Sequence, residues 1–138
     1  MITTKTVLVL GAGASMDYGL PSGLELFQMV VRNLTPSSFN ERLSFLESCK
    51  IQSPHVEAFW DALRNSGCSS VDMFLEHRSD FREAGKLAMA FEIAKLENNN
   101  QLFNIDKKGN IWYEYLFKKL FAPFDEIGNN QISVITFN

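Results

Sequence analysis

Two apolar runs at opposite ends of the sequence constrain the fold more than any other feature. The first covers residues 6–10 and leads directly into glycines, and the second covers about residues 131–137 of the 138-residue chain. Each run predicts a buried strand. A strand–helix–strand crossover takes about 30 residues, and roughly four times that number separates the two runs. We therefore expect a helical module, at about residues 24–121, inserted between two strands of one parallel sheet.

A doubly wound sheet needs several parallel strands with helices on both faces. Two strands do not supply such a sheet by themselves. We therefore expect an α/β fold, a Rossmann-like doubly wound parallel sheet with an inserted helical module, that is incomplete in this chain. On this interpretation, residues 1–138 are the N-terminal portion of a longer domain.

The segment between the strands has the spacing of apolar residues that is typical of helices. Intervals of three and four residues follow Gly23, and Ser53-Pro54 places a proline in the first turn of another helix. Ser38 and Glu41 match a capping box, which predicts a further helix start. The predicted helices begin near residues 24, 39, 54, 71, 81 and 111, and a loop is predicted over 98–110.

The composition excludes some classes of function. Hydrophobic residues make up 46% of the chain, enough for a core, and 13 basic against 16 acidic residues give a net charge of −3. Because no dense block of Lys and Arg occurs, we expect no direct nucleic-acid partner. The two cysteines lie outside any CxxC motif, and no apolar run approaches ~18 residues. We therefore expect no membrane partner, a cytoplasmic location and no metal site.

The first strand is followed by the sequence GAGAS at residues 11–15, within a predicted glycine loop at 11–23. Glycines after a buried strand let backbone N–H groups approach the phosphates of a dinucleotide. The full dinucleotide fingerprint would place glycine at position 16, which is Met16, and the next glycine is Gly19. On these residues alone, a structural turn is the alternative interpretation.

Three motifs together resemble the Sir2 family: GAGAS at 11–15, Gly-Leu-Pro at 19–21, and Thr-Phe-Asn at 136–138. More narrowly, the chain resembles the SIR2-like (NADase) domains of bacterial antiphage defence proteins. The deacetylase sequence Asp-Phe-Arg is commonly absent from that branch, and Ser22, Gly23 and Leu24 stand at the corresponding positions here. Segments 70–75 and 112–116 are also similar. The resemblance covers the whole chain but only about the first half of a Sir2 catalytic core.

The resemblance implies an NAD hydrolase that forms ADP-ribose and nicotinamide and acts in defence by depleting NAD. Cleavage of the nicotinamide–ribose bond through an oxocarbenium-like state requires positioning and electrostatic help more than a strong nucleophile. Asn138 would be the catalytic residue that orients the water or the ribose. The implied NAD-binding residues are Gly11, Ala12, Gly13, Ser15, Asp17, Gly19, Leu20, Pro21 and Thr136.

One departure from the family leaves alternatives open. Sir2 enzymes use a histidine beyond the Thr-x-Asn motif as a general base, and neither His55 nor His77 has that position. We therefore expect the chain alone to be inactive, with turnover belonging to a longer parent protein. The alternatives are a non-catalytic nucleotide-sensing or assembly module and an NAD-dependent protein deacylase. Apolar faces such as 81–96 also suggest a homo-oligomer, and a defence-system partner protein is a further possibility.

Overall fold

The computed structural model describes residues 1–34, 41–102 and 111–137. Asn138, Ser38 of the predicted capping box and residues 103–110 of the predicted loop lie outside the described residues. The fold is mixed α/β, mostly helical with a small two-stranded parallel sheet. It divides into a strand unit, Met1–Gly19 with Asn98–Asn138, and a helical unit, Leu20–Glu97.

The elements follow one another along the chain with short connections. The strands are β1 (Thr6–Leu10) and β2 (Ile132–Thr136). The helices of the helical unit are α1 (Gly23–Asn33), α2 (Glu41–Ser48), α3 (Ser53–Arg64), α4 (Val71–His77) and α5 (Arg82–Leu96). The strand unit adds α6 (Asn99–Leu102), α7 (Trp112–Leu120) and a 3-10 helix, Ala12–Tyr18, called the loop helix below. Further 3-10 turns lie at Ser79–Phe81 and Ile127–Asn129.

Local signals explain where the helices of the helical unit begin. The hydroxyl of Ser22 accepts from the amide of Glu25, whose carboxylate accepts from the amide of Ser22, so α1 opens with a complete capping box. Pro54 lies in the first turn of α3 as predicted, and the Ser70 hydroxyl caps α4. One difference is α6, a short helix at the start of the segment that was predicted to be a loop.

The core of the helical unit is built around α5, which packs against α1, α2, α3 and α4. Phe59, Phe74 and Phe81 form an aromatic cluster with ring centroids 5.8–6.1 Å apart. Gly85 allows α4 to approach α5, because a Cβ there would lie 2.7 Å from a methyl group of Leu75. The same buried cluster includes Val30, Leu63, Val71, Ala84 and Ala88, and Leu46 and Val56 are also buried.

Part of the apolar face at 81–96 is covered within the chain itself. Phe81, Ala84 and Ala88 are buried in the core of the helical unit. The physical reason is that α1, α2, α3 and α4 pack against α5 on the side where these three residues lie.

A buried charge joins three helices of the same unit. Glu92 of α5 is 3% exposed, and both of its carboxylate oxygens accept from the guanidinium of Arg42 on α2. The side-chain amide of Asn33 on α1 donates to the same carboxylate at 3.0 Å. Since a buried carboxylate is tolerated only when it is paired and hydrogen-bonded, this contact fixes how α1, α2 and α5 meet.

The two strands pair in parallel, with Thr6 opposite Ile132 and Leu10 opposite Thr136. They are not buried as predicted. Val7 and Val9 are 60% and 64% exposed, and Ile135 on the same face is also exposed. Parallel sheets bury both faces only when helices cover both, and this face of the two-stranded sheet lies open to solvent.

Asn130 ties the amino ends of the strands to the end of α7. Its side-chain oxygen accepts from the amide of Ile2 at 2.7 Å, and its side-chain nitrogen donates to the carbonyls of Leu120 and Ile127. The amide of Thr6 donates to the carbonyl of Gln131 next to it. The carboxyl ends of the strands lie opposite. There, β1 leads into the glycine loop, and β2 leads along the sequence toward Asn138.

Candidate functional site

The loop helix starts directly at the carboxyl end of β1. Its first bond runs from the amide of Ala14 to the carbonyl of Gly11 at 2.9 Å, and its end is closed by the amide of Gly19, which donates to the carbonyl of Met16 at 3.0 Å. Gly19 has φ +82, the left-handed conformation that glycine adopts without a steric penalty. The glycine at position 19 is therefore required by the fold of the chain itself.

The glycines at the start of the loop helix have a different environment. Gly11 has φ −106, and Gly13 also lies outside the left-handed region. A Cβ at either position would meet no other atom of the described residues within 4 Å. Inside a helix, glycine costs about 0.5–1 kcal/mol of stability relative to alanine. Nothing in the described fold explains why glycine and not alanine stands at position 13. Open space beside two such glycines suits a ligand that approaches the backbone closely.

The end of β2 lies beside the start of this loop. Leu10 and Thr136 are opposite each other in the parallel register, and the amide of Phe137 donates to the carbonyl of Leu10 at 2.9 Å. The structure therefore brings Thr136 and the GAGAS motif to one edge of the sheet. Asn138, the predicted catalytic residue, lies outside the described residues.

Most of the predicted binding residues belong to the strand unit and are accessible. Ser15 is half-buried, whereas the others in the loop helix and its flanks are exposed: Gly11, Ala12, Gly13, Asp17, Gly19 and, on β2, Thr136. Leu20 and Pro21 are half-buried and begin the helical unit. Of the sequence motifs, GAGAS and the Thr136 end of β2 lie next to each other.

Two residues at this site were not found by sequence reasoning. The indole N–H of Trp112, the first residue of α7, donates to the carbonyl of Ala14 in the loop helix at 2.9 Å. Tyr18, at the other end of the loop helix, buries its hydroxyl group, and no described residue accepts or donates a hydrogen bond there. A local pattern could not reveal the first contact, because its residues are 98 positions apart.

The surroundings of Tyr18 favour its neutral form. Burial raises the pKa of the Tyr18 hydroxyl, and the Asp17 carboxylate, Tyr113 and the Glu114 carboxylate raise this pKa further. Tyr113 and Glu114 follow Trp112 in the first turn of α7, the turn that bonds to the loop helix at Ala14. The hydroxyl therefore stays protonated at neutral pH and keeps an unused donor next to the loop.

Two further features are absent from the described residues. Across residues 1–34, 41–102 and 111–137, no three His, Cys, Asp or Glu side chains gather closely enough to hold a metal ion. Nor does any helix in these ranges have the length and apolar character needed to cross a bilayer. Comparisons with protein-family models, curated proteins and solved structures gave no match to this chain.

Proposed function

We propose that this chain carries the nucleotide-binding part of a SIR2-like domain with a Rossmann-like sheet, and that the protein hydrolyses NAD to ADP-ribose and nicotinamide in antiphage defence. One observation supports this most strongly: the GAGAS loop and the end of β2 meet at the carboxyl edge of a parallel strand pair. Open α/β sheets bind ligands outside the carboxyl ends of their strands.

The glycines supply the second support. Gly11 and Gly13 leave room for a ligand where alanine would fit the chain equally well. The diphosphate of NAD is an anion that backbone N–H groups can hold at close range, and Ser15 adds a hydroxyl nearby. The Tyr18 hydroxyl, which has no partner in the described residues, is a further donor beside the loop.

The proposed reaction breaks the bond between the nicotinamide nitrogen and C1′ of the ribose. Water adds to C1′ and releases one proton to solvent, and nicotinamide leaves with the bonding electrons. Asn138 would hold the ribose or the attacking water through its side-chain amide, which is neutral and does not compete as a base. Thr136, two residues earlier on β2, would contact the same part of NAD.

A non-catalytic nucleotide sensor is the second candidate. His55 lies in α3 and His77 in α4, so both histidines of the sequence belong to the helical unit. The strand unit, which carries the GAGAS loop and Thr136, therefore supplies no histidine of its own as a general base. This observation favours binding without turnover by the residues of this chain.

Binding is tested first, with two matched glycine substitutions. Gly13 and Gly128 both lie within 3-10 helices of the strand unit, at ordinary φ and with open space at Cβ, but Gly128 precedes the amino end of β2. We expect Gly13→Ala to weaken NAD binding at least ~10-fold in isothermal titration calorimetry, and Gly128→Ala to leave it unchanged. Equal affinities in the two variants, or no binding by the wild-type chain, would contradict the proposed site.

Turnover is tested separately by nicotinamide release in the longest protein that contains this chain, with Asn138 intact and with Asn138→Ala. Loss of release with retained NAD binding supports the hydrolase. Retained binding without release in both proteins supports the nucleotide sensor instead.

A further inference from the structure

The strongest unassigned contact in the strand unit is the hydrogen bond between Trp112 and Ala14. The donor is an indole N–H, the acceptor is a backbone carbonyl within the loop helix, and the distance is 2.9 Å. The Trp112 side chain is half-buried, and its ring meets that of Tyr113 edge to face with centroids 5.8 Å apart. The indole is therefore held in place from its own helix while it binds the loop.

We propose that Trp112 is a positioning residue for the nucleotide site, one that holds the loop helix in the shape that receives the ligand. The proposal rests on the proposed function. A peptide group is planar, so fixing the carbonyl of Ala14 also fixes the direction of the Ser15 amide in the same plane. The bond thus sets the orientation of the loop helix at the point between its glycines and Ser15.

The loop helix gains from such a tether because its own hydrogen bonds and its glycines hold it weakly. Its 3-10 hydrogen bonds have poorer geometry than those of an α-helix, and long 3-10 runs are uncommon. It also begins with Gly11 and Gly13, which lose more conformational entropy on ordering than other residues. A loop that is ordered before the ligand arrives binds more tightly, because the ordering cost does not fall on the binding step.

The first turn of α7 contacts the loop helix through Trp112, which binds Ala14 near the start. At the other end of the loop helix, Tyr113 and the Glu114 carboxylate help to raise the pKa of the Tyr18 hydroxyl. Gln101 of α6 lies next to Gly19, where a Cβ would come within 3.9 Å of its Cγ. The hydrogen bond from the Trp112 indole to Ala14 holds the backbone of the loop helix between the GAGAS glycines and Ser15.

The sequence contains a matched control for this contact. Trp60, the other tryptophan, donates its indole N–H to the carbonyl of Val31 at 2.7 Å in the helical unit. Trp112→Phe and Trp60→Phe therefore remove the same kind of hydrogen bond and keep most of the ring. Only the first removes it from the loop helix.

We expect Trp112→Phe to weaken NAD binding roughly two- to tenfold, the range for one lost hydrogen bond, while Trp60→Phe has no effect on it. Amide hydrogen exchange across residues 11–19, measured without nucleotide, should be faster in Trp112→Phe and unchanged in Trp60→Phe. In the Trp60→Phe protein, Trp112 is the remaining tryptophan, and its fluorescence should respond to NAD.

NAD binding and amide hydrogen exchange together distinguish a failure of the proposed function from a failure of the positioning role of Trp112. If the wild-type chain binds no NAD, the proposed function fails, and hydrogen exchange still decides whether Trp112 holds the loop. Unchanged exchange in Trp112→Phe overturns the positioning role. Faster exchange with wild-type NAD affinity also overturns it, because the tether would then serve the fold and not the ligand.

Discussion

The helical unit and the strand unit differ in where their apolar side chains lie. In the helical unit, Phe59 and Leu63 are completely buried, and a buried carboxylate, Glu92, is fully paired. In the strand unit, Phe117 and Phe121 are 58% and 72% exposed, and the two strands are open on one face. The helical unit therefore has the features of a stable core, whereas the strand unit carries most of the candidate ligand-binding residues.

We therefore expect the helical unit to determine stability and the loop helix to determine ligand binding. Substitutions in the helical unit should change the free energy of unfolding, since they open cavities or break paired charges. Substitutions in the loop helix should change ligand binding with small effects on unfolding. Each prediction below tests one side of that comparison.

Phe59→Ala is expected to have the largest effect, because the ring is completely buried against Phe74 and Phe81. Truncating such a ring costs about 3–5 kcal/mol. Phe117→Ala, the same chemical change on exposed α7, should cost less than about 0.5 kcal/mol. Urea unfolding followed by circular dichroism measures both. If both variants lose a similar free energy of unfolding, the strand unit contributes to stability as much as the core of the helical unit does.

Glu92→Gln should lower the free energy of unfolding by about 2–3 kcal/mol, because it leaves the Arg42 guanidinium without its buried counter-charge. Glu41→Gln is the control. Its carboxylate pairs with Lys95, so this contact also joins α2 to α5, but both side chains are exposed. We expect no measurable change there, since solvent screens the pair. If Glu41→Gln lowers stability more than Glu92→Gln in thermal unfolding, the buried pair is not the more stabilising of the two.

Gly19→Ala should cost about 1–2 kcal/mol, because alanine is strained at φ +82. Gly13→Ala should leave stability unchanged or raise it slightly, since its φ is ordinary and its Cβ would lie in open space among the described residues. The two variants thus divide the glycine loop into a position that the fold needs and a position that the ligand needs. Chemical unfolding measures the free energy of unfolding of both variants. A destabilised Gly13→Ala protein would show that the fold requires glycine at position 13.

Tyr18→Phe should have the smallest effect at neutral pH, from no change to a gain of about 1 kcal/mol, because it removes a buried hydroxyl with no partner in the described residues. At high pH the effect grows. The raised pKa of Tyr18 means that the folded chain keeps this proton above pH 10 while the unfolded chain releases it. Stability therefore falls as the pH rises past 10, and Tyr18→Phe should lose less of it.

Unfolding at several alkaline pH values checks this last prediction. Tyr115→Phe is the control, since the Tyr115 side chain is 65% exposed. If both variants follow the wild-type pH dependence, burial of the Tyr18 hydroxyl has no energetic consequence.

Periodicity and capping residues predicted much of the helical unit. The proline at position 54 and the serine at position 70 mark helix starts that the structure contains. The capping box at Ser22 and Glu25 was not predicted, although its spacing is the same as that of Ser38 and Glu41. Local signals of this kind are readable because the hydrogen bonds that produce them join neighbouring residues.

The contacts that shape the candidate site were not predictable in this way. Trp112 was placed in a helix from its apolar spacing, but its bond to Ala14 depends on how α7 packs. Glu92 carries a charge, which predicts exposure, and only Arg42 from another helix allows its burial. The strands were recognised from their apolar runs, yet the exposure of Val7 and Val9 depends on what covers the sheet.

The bond between the Ile2 amide and Asn130 joins residues 128 positions apart. A ribosome that adds about 5–20 residues per second needs roughly 6–25 s to produce that interval. We expect the local contacts of the helical unit to form during this time, and protease resistance of chains arrested at successive lengths would measure the order. Throughout that interval, β1 lacks β2 as a partner strand, and that edge of β1 is open to other chains. The GAGAS loop is therefore synthesised well before the strand that lies beside it in the fold.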